Sequence, residues 1–196
     1  MLDRRFFIAG LGSTLIVPAM PSFAMTQGGA SKLVNSLVND INGVIASGKS
    51  ETAMYQEFER IFERYSDTSY ISAYAMGVDG RRATSAQKRA FSNAFHTYIA
   101  RKYGKRFQEF IGGSLEVKKV QRVKTWYEVS TVAYLRNESP FEVMFQVSDR
   151  AGKNLFFNMF IEGVNLLLTE RTEIGALIDR NGGNIDAMIS DLRKTR

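Results

Sequence analysis

Cysteine is absent from this chain, and histidine occurs once, at position 96. Without cysteine there is no disulfide, no thiol nucleophile and no thiolate metal site. With one histidine, a zinc site or a histidine-dependent triad would have to be built around His96 alone. His96 sits in a helical stretch beside Phe95, where a structural histidine is the simpler reading. The sequence also lacks G-x-S-x-G, a phosphate-cradling P-loop and G-x-G-x-x-G. Beyond position 24 no apolar run approaches the ~20 residues needed to span a bilayer. Only three prolines occur among 196 residues, with 44% hydrophobic and 12% aromatic content. That composition describes one globular domain, not a disordered or fibrous chain.

The first 24 residues read as a segment apart from that domain. Arg4-Arg5 precede Phe6-Phe7-Ile8 and an apolar run to Val17. Pro18 and Pro21 break the run, and Ser22-Phe23-Ala24 has the small-x-small form of a cleavage site. The expected organisation is a signal peptide over 1–24 and one domain over 25–196. The paired arginines give the leader a twin-arginine-like character; an ordinary Sec leader is the alternative. The expected compartment is the periplasm, and the mature chain is expected to be soluble. Losing Asp3, Arg4 and Arg5 lowers the formal net charge of +6 by one. The remaining positive charge suits anionic partners such as lipid headgroups or acidic protein surfaces; nucleic acid is a poor partner for an exported chain.

Apolar spacing sets the elements. Leu33, Leu37, Val38, Ile41, Val44 and Ile45 recur at helical intervals up to Gly48. A second helix starts near Ser50, with Tyr55, Phe58, Ile61, Phe62 and Tyr65 on one face. A short third holds Tyr70, Ile71 and Tyr74 and stops at Gly77, before a loop through Arg81 and Arg82. Thr84 to Gln87 has the form of a capping box. It opens a long helix whose aromatic stripe includes Phe91, Phe95, Tyr98, Tyr103, Phe107 and Phe110, ending at Gly112-Gly113. Four strands follow, near 117–124, 126–136, 140–148 and 154–162, joined by short polar turns. A helix from about Leu168 and a last one capped by Asn184 complete the chain. Helices segregated from consecutive antiparallel strands define an α+β domain. A curved four-stranded antiparallel sheet is expected against a helical layer, enclosing an apolar pocket.

The pocket expectation comes from surplus apolar surface. From Leu155 to Leu168 both strand faces look buried, with Phe156 and Phe160 on one and Leu155, Phe157, Met159 and Ile161 on the other. The expected lining is Tyr74, Phe95, Tyr98, Tyr103 and Phe107 from helices, with Val132, Tyr134, Phe145, Phe157, Met159 and Ile161 from the sheet. A one-residue slip in strand register inverts these faces. Glu162, in a very apolar strand, suggests either an acid/base with a raised pKa or a strand-ending cap.

Two segments carry a resemblance. One is Tyr65-Ser66-Asp67, then Ile71 through Gly77, Arg81 through Gln87, and Phe95 through Tyr98 to Tyr103-Gly104. The other is Ile161 through Leu166, with Arg171, Glu173-Ile174 and Gly182-Gly183. Their joint order resembles the MlaC, or toluene-tolerance, family of periplasmic phospholipid-binding proteins. The resemblance implies a non-enzymatic phospholipid shuttle that maintains outer-membrane lipid asymmetry. It implies exchange with an outer-membrane lipoprotein–porin complex and with an inner-membrane ABC transporter bearing an MCE-domain ring. A monomer without a cofactor is expected, and Arg81 or Arg82, in the loop before the long helix, is expected to contact a lipid phosphate or an acidic partner surface, with a plain solvated loop as the alternative. The chain departs from the family pattern at Asn154, where members often carry Trp, and at Phe157-Asn158, where they often carry Tyr-Asp. Two other readings stand beside this one. The first is an enzyme on a nuclear transport factor-like cone with Glu162 or Asp149 as acid/base; the second is an adaptor with a filled core.

Overall fold

A computed structural model describes residues 25–109, 113–135 and 138–195, with the backbone alone over 105–109. The expected leader, the helix end at Phe110 to Gly112, the turn at Asn137 and the side chain of Phe107 lie outside the described part. Among the described residues, no helix is long and apolar enough to cross a membrane.

Among the described residues six α-helices and five strands follow in order: α1 Gln27–Ala46, α2 Glu51–Tyr65, α3 Thr68–Met76, α4 Ser85–Glu109, β1 Ser114–Val123, β2 Trp126–Tyr134, β3 Phe141–Ser148, β4 Leu155–Ile161, β5 Val164–Asn165, α5 Leu166–Arg180 and α6 Ile185–Lys194. Local chemistry explains the starts. Thr26, Ser50, Asp67, Asn165 and Asn184 each cap a helix by accepting a backbone N–H. The capping box ahead of α4 is reciprocal: Gln87 N–H donates to Thr84 Oγ1 at 3.2 Å, and Thr84 N–H to Gln87 Oε1 at 3.0 Å. Gly77–Arg81, read from sequence as a loop, forms a 3₁₀ turn.

The sheet is open and wholly antiparallel, in the order β1-β2-β3-β4-β5. Residue periodicity alone predicts four strands. The fifth exists because Glu162 (φ 50°) and Gly163 (φ 80°) both take left-handed backbone, which folds Val164 back onto Ile161. Glutamate advertises such a turn poorly, and α5 accordingly begins two residues earlier than its apolar spacing suggests. Bulges between Val117 and Lys119, and opposite Gln146–Val147, curve the sheet.

The bulge on β4 corrects the face assignment. Phe156 pairs with Val147 and Asn158 with Gln146, leaving Phe157 as the extra residue. Phe156 therefore joins Met159 and Ile161 on the inner face, and Phe160 faces outward. Val129, Thr131 and Ala133 of β2, all fully buried, share the inner face with Val147, Phe145 and Val143. Val132 and Tyr134 alternate onto the outer face, where they are half-buried.

The helix lying along the sheet is α1, packed on β1, β2 and β3. The long α4 packs on α2, α3 and α6 instead. Asp67 joins the two layers: its backbone N–H donates to Phe156 O at 2.8 Å, and its carboxylate caps α3 through Tyr70 N–H at 3.0 Å.

His96 lies between α4 and α2, its ring edge-on to Phe62 and its Nε2 3.3 Å from Ser92 Oγ. Burial holds its imidazole below the ordinary 6.5, against the opposing pull of Glu63 and Glu59. The unfolded chain takes the proton near pH 6.5, and the folded chain only at lower pH. Stability should therefore fall as pH drops below 6.5 and level off beneath the folded value. With one histidine in the chain, its single imidazole NMR signal should titrate below 6.5; titration above that value would refute the account.

Candidate functional site

Two apolar cavities lie between the helices and the inner face of the sheet. The smaller, about 100 Å³, is walled by α1, α2, α4, β4 and the start of α5. The larger, about 400 Å³, is walled by α1, β3 and β4, with Tyr103, Leu115, Leu135, Glu138 and Ser139. Leu37, Ile41, Tyr103 and Met159 line both, so the two adjoin across a shared partition. The larger reaches the surface where Glu138, Ser139 and Glu162 are exposed. Apolar walls with polar groups at one end suit a chain-like apolar ligand whose head stays wet.

Of the side chains expected to line a pocket, Tyr103, Phe145, Phe157, Met159 and Ile161 lie on these walls. Phe157 does so from its bulge, edge-on to Tyr70 and Trp126 and with the Arg150 guanidinium 4.0 Å from its ring centroid. Phe95 is elsewhere, fully buried and stacked on Phe91 at 5.3 Å. Tyr98 faces α5, its hydroxyl donating to Glu173 Oε2 at 2.8 Å. Tyr74 sits under Arg171, 5.0 Å from its ring centroid. Val132 and Tyr134 are across the sheet, with Lys118 5.4 Å from the Tyr134 ring centroid.

Leu37, Ile41, Phe156 and Glu170 were not singled out from sequence. The first two stand on the apolar stripe of α1, and a ranking by amphipathic helix rather than by aromatic content would have found them. Phe156 is hidden by the bulge. Glu170 carries no local signal, because its partners Lys102 and Tyr103 come from α4, far off in the chain.

Where Glu170 meets those α4 side chains, the wall of the smaller cavity is strongly polar. Glu170 is 2% exposed. Its Oε1 accepts from Lys102 Nζ at 2.7 Å and from the Tyr103 hydroxyl at 2.5 Å. Lys102 also donates to Glu173 Oε2 at 2.5 Å. Burial, then the Glu170 charge, pushes both Tyr98 and Tyr103 far above the ordinary phenol range. Both phenols remain protonated donors at any physiological pH.

Arg81 and Arg82 differ sharply. The Arg82 guanidinium pairs with Asp79 at 2.8 Å. Arg81 is exposed and, among the described residues, has no carboxylate partner. It stands with Lys88 and Arg89 around a groove between α3 and α4. Asp149, the other acid considered from sequence, accepts the Met25 N–H at 2.8 Å. Among the described residues, no cluster of histidine and acidic side chains could hold a metal ion.

The family model described as MlaC protein matches residues 32–194. A solved structure of a phospholipid-binding protein from Ralstonia solanacearum, in complex with a phospholipid, superposes with a TM-score of 0.73 at 18% identity. The alignment covers 84% of this chain and 95% of that one.

Proposed function

Because the chain belongs to the MlaC family, we propose that it binds phospholipid by the acyl chains and carries it through the periplasm. The adjoining apolar cavities support this reading most directly. Burial of each methylene favours binding by about 0.8 kcal/mol, so apolar volume suffices and no catalytic group is needed. A phospholipid in the Ralstonia protein of the same fold points the same way.

In this reading Tyr103, Phe145, Phe157, Met159 and Ile161 contact acyl chains, together with Leu37, Ile41 and Phe156. The larger cavity takes chains first and the smaller their ends, while the headgroup stays near Glu138, Ser139 and Glu162. Lipid is received from and delivered to an outer-membrane lipoprotein–porin complex and an inner-membrane ABC transporter with an MCE-domain ring. Arg81, exposed and without a carboxylate partner among the described residues, contacts an acidic surface of one of them; its planar fork suits carboxylate or phosphate. The protein acts as a monomer, and residues 1–24 direct its export.

Native mass spectrometry of the periplasmic protein tests the binding step. A bound mass equal to one or more phospholipids is the expected result. A ligand-free chain that also fails to take lipid from vesicles would overturn the reading. In a transfer assay with the purified partner complexes, Arg81→Glu should load lipid normally and deliver it several-fold more slowly. Unchanged delivery would remove Arg81 from the contact.

A further inference from the structure

The start of α1 is fastened to the sheet at several points. Met25 packs its side chain against the core. Its backbone N–H donates to Asp149 Oδ2 at 2.8 Å, across 124 residues of sequence. Gln27 Nε2 donates to Val120 O at 3.4 Å. Gly29 lies so near Asn154 that a Cβ there would meet its Nδ2 at 2.6 Å. Asp149 opens the turn into β4, where the Gly152 N–H donates to its carbonyl at 2.9 Å. The neighbouring Arg150 turns to Asp67 and Ser148 instead. Among the described residues, no lysine or arginine forms an ion pair with Asp149.

Met25 lies one residue ahead of Thr26, the cap of α1. A helix N-terminus carries partial positive charge, and a carboxylate beside it is stabilising. The first turn of α1 holds no acidic residue; Asp149 reaches over from the sheet to that end. A free amine at Met25 would add a full positive charge there, since an α-amine titrates at about 8 and is charged at neutral pH. The Asp149 carboxylate already stands within hydrogen-bond distance of that nitrogen.

We infer that the Ala24–Met25 bond is a processing site, and that the α-ammonium it releases at Met25 forms an ion pair with Asp149 that holds α1 to the sheet. The inference rests on the reading of residues 1–24 as an export leader. A peptidase of the export route hydrolyses the bond with one water. The C–N bond breaks, and the water oxygen joins the Ala24 carbonyl carbon as a carboxylate. Both water hydrogens end on the Met25 nitrogen, which becomes the ammonium. The uncut chain offers Asp149 only a neutral N–H, so the charged pair arises on cleavage. Cutting one residue to either side would take the charge away from Asp149 Oδ2.

Two measurements test this. The intact mass of protein recovered from the periplasm should correspond to a chain starting at Met25. Any other first residue would overturn the inference; failure to reach the periplasm would overturn the export reading as well. Denaturant unfolding then compares four delipidated proteins: wild type, Asp149→Asn, a chain with one alanine inserted between Ala24 and Met25, and the two changes combined. The inserted alanine becomes the first residue, as mass verifies, and returns Met25 to a neutral N–H. Asp149→Asn keeps an acceptor and removes the charge. It should raise the unfolding constant about fivefold in the chain starting at Met25, and less than about twofold in the lengthened chain. Equal effects in both would overturn the ion pair and leave the export reading intact. The insertion alone should also raise the constant about fivefold, which decides the matter if Asp149→Asn fails to fold. An unchanged constant would overturn the inference.

Discussion

A Met159→Glu protein should fold as the wild type does and carry almost no phospholipid. Met159 is half-buried and borders both cavities. A carboxylate there must lose its hydration or take up a proton when acyl chains surround it, and either costs on the order of several kcal/mol. Each 1.4 kcal/mol is tenfold in affinity, so occupancy should fall by at least about tenfold. The fold survives because the side chain faces empty volume, which water can enter once lipid is absent. Circular dichroism and lipid extraction on the one variant decide the matter. A folded variant with full lipid occupancy would exclude Met159 from the binding wall. An unfolded variant would mean that the cavities are filled core in practice.

Phe95→Ala should behave in the opposite way. Phe95 is fully buried among Phe91, Tyr98 and the helices around α4, and it borders neither cavity. Truncating a phenylalanine in such a position costs about 3–5 kcal/mol, part transfer and part cavity. Denaturant unfolding should show that loss. Well below the melting temperature, the variant should still bind lipid as the wild type does. A stable variant with lost binding would mean that the aromatic stripe of α4 serves the ligand and not the core.

The contrast between these two residues shows where sequence was informative. Helical spacing located α1, α2, α3 and the capped start of α4, because each has one apolar stripe and a polar cap. It could not say which helix would lie on the sheet. The aromatic stripe of α4 suggested that helix; the smaller aliphatic stripe of α1 took the place. Large aromatics filled the spaces among helices, and Leu37 and Ile41 were left facing the cavities.

Strand faces were harder for a different reason. β4 is apolar on both sides, so no polar residue marked the point where Phe157 bulges and the phase shifts. In β2 the larger residues Val132 and Tyr134 suggested the inner face. Yet Thr131 and Ala133 are the ones inside, with Thr131 Oγ1 satisfied by donating to Val143 O at 2.7 Å. Size is a poor guide to direction when a sheet must leave room beneath it. The polar cluster was unreadable for a third reason: Lys102, Tyr103, Glu170 and Glu173 come from helices far apart in the chain and meet only in the fold.

The two margins of the open sheet bear on what happens when such a protein is empty. An uncovered strand margin offers free N–H and C=O groups to any chain that can pair with it. β1, at one margin, is bulged and carries Glu116, Lys118, Lys119 and Arg122. β5, at the other, is only two residues long. Neither gives a second molecule a flat, apolar length to zip onto. A protein that surrenders its lipid bares greasy walls to water, and that is when copies in close quarters would clump. Blunted margins remove the commonest route to it.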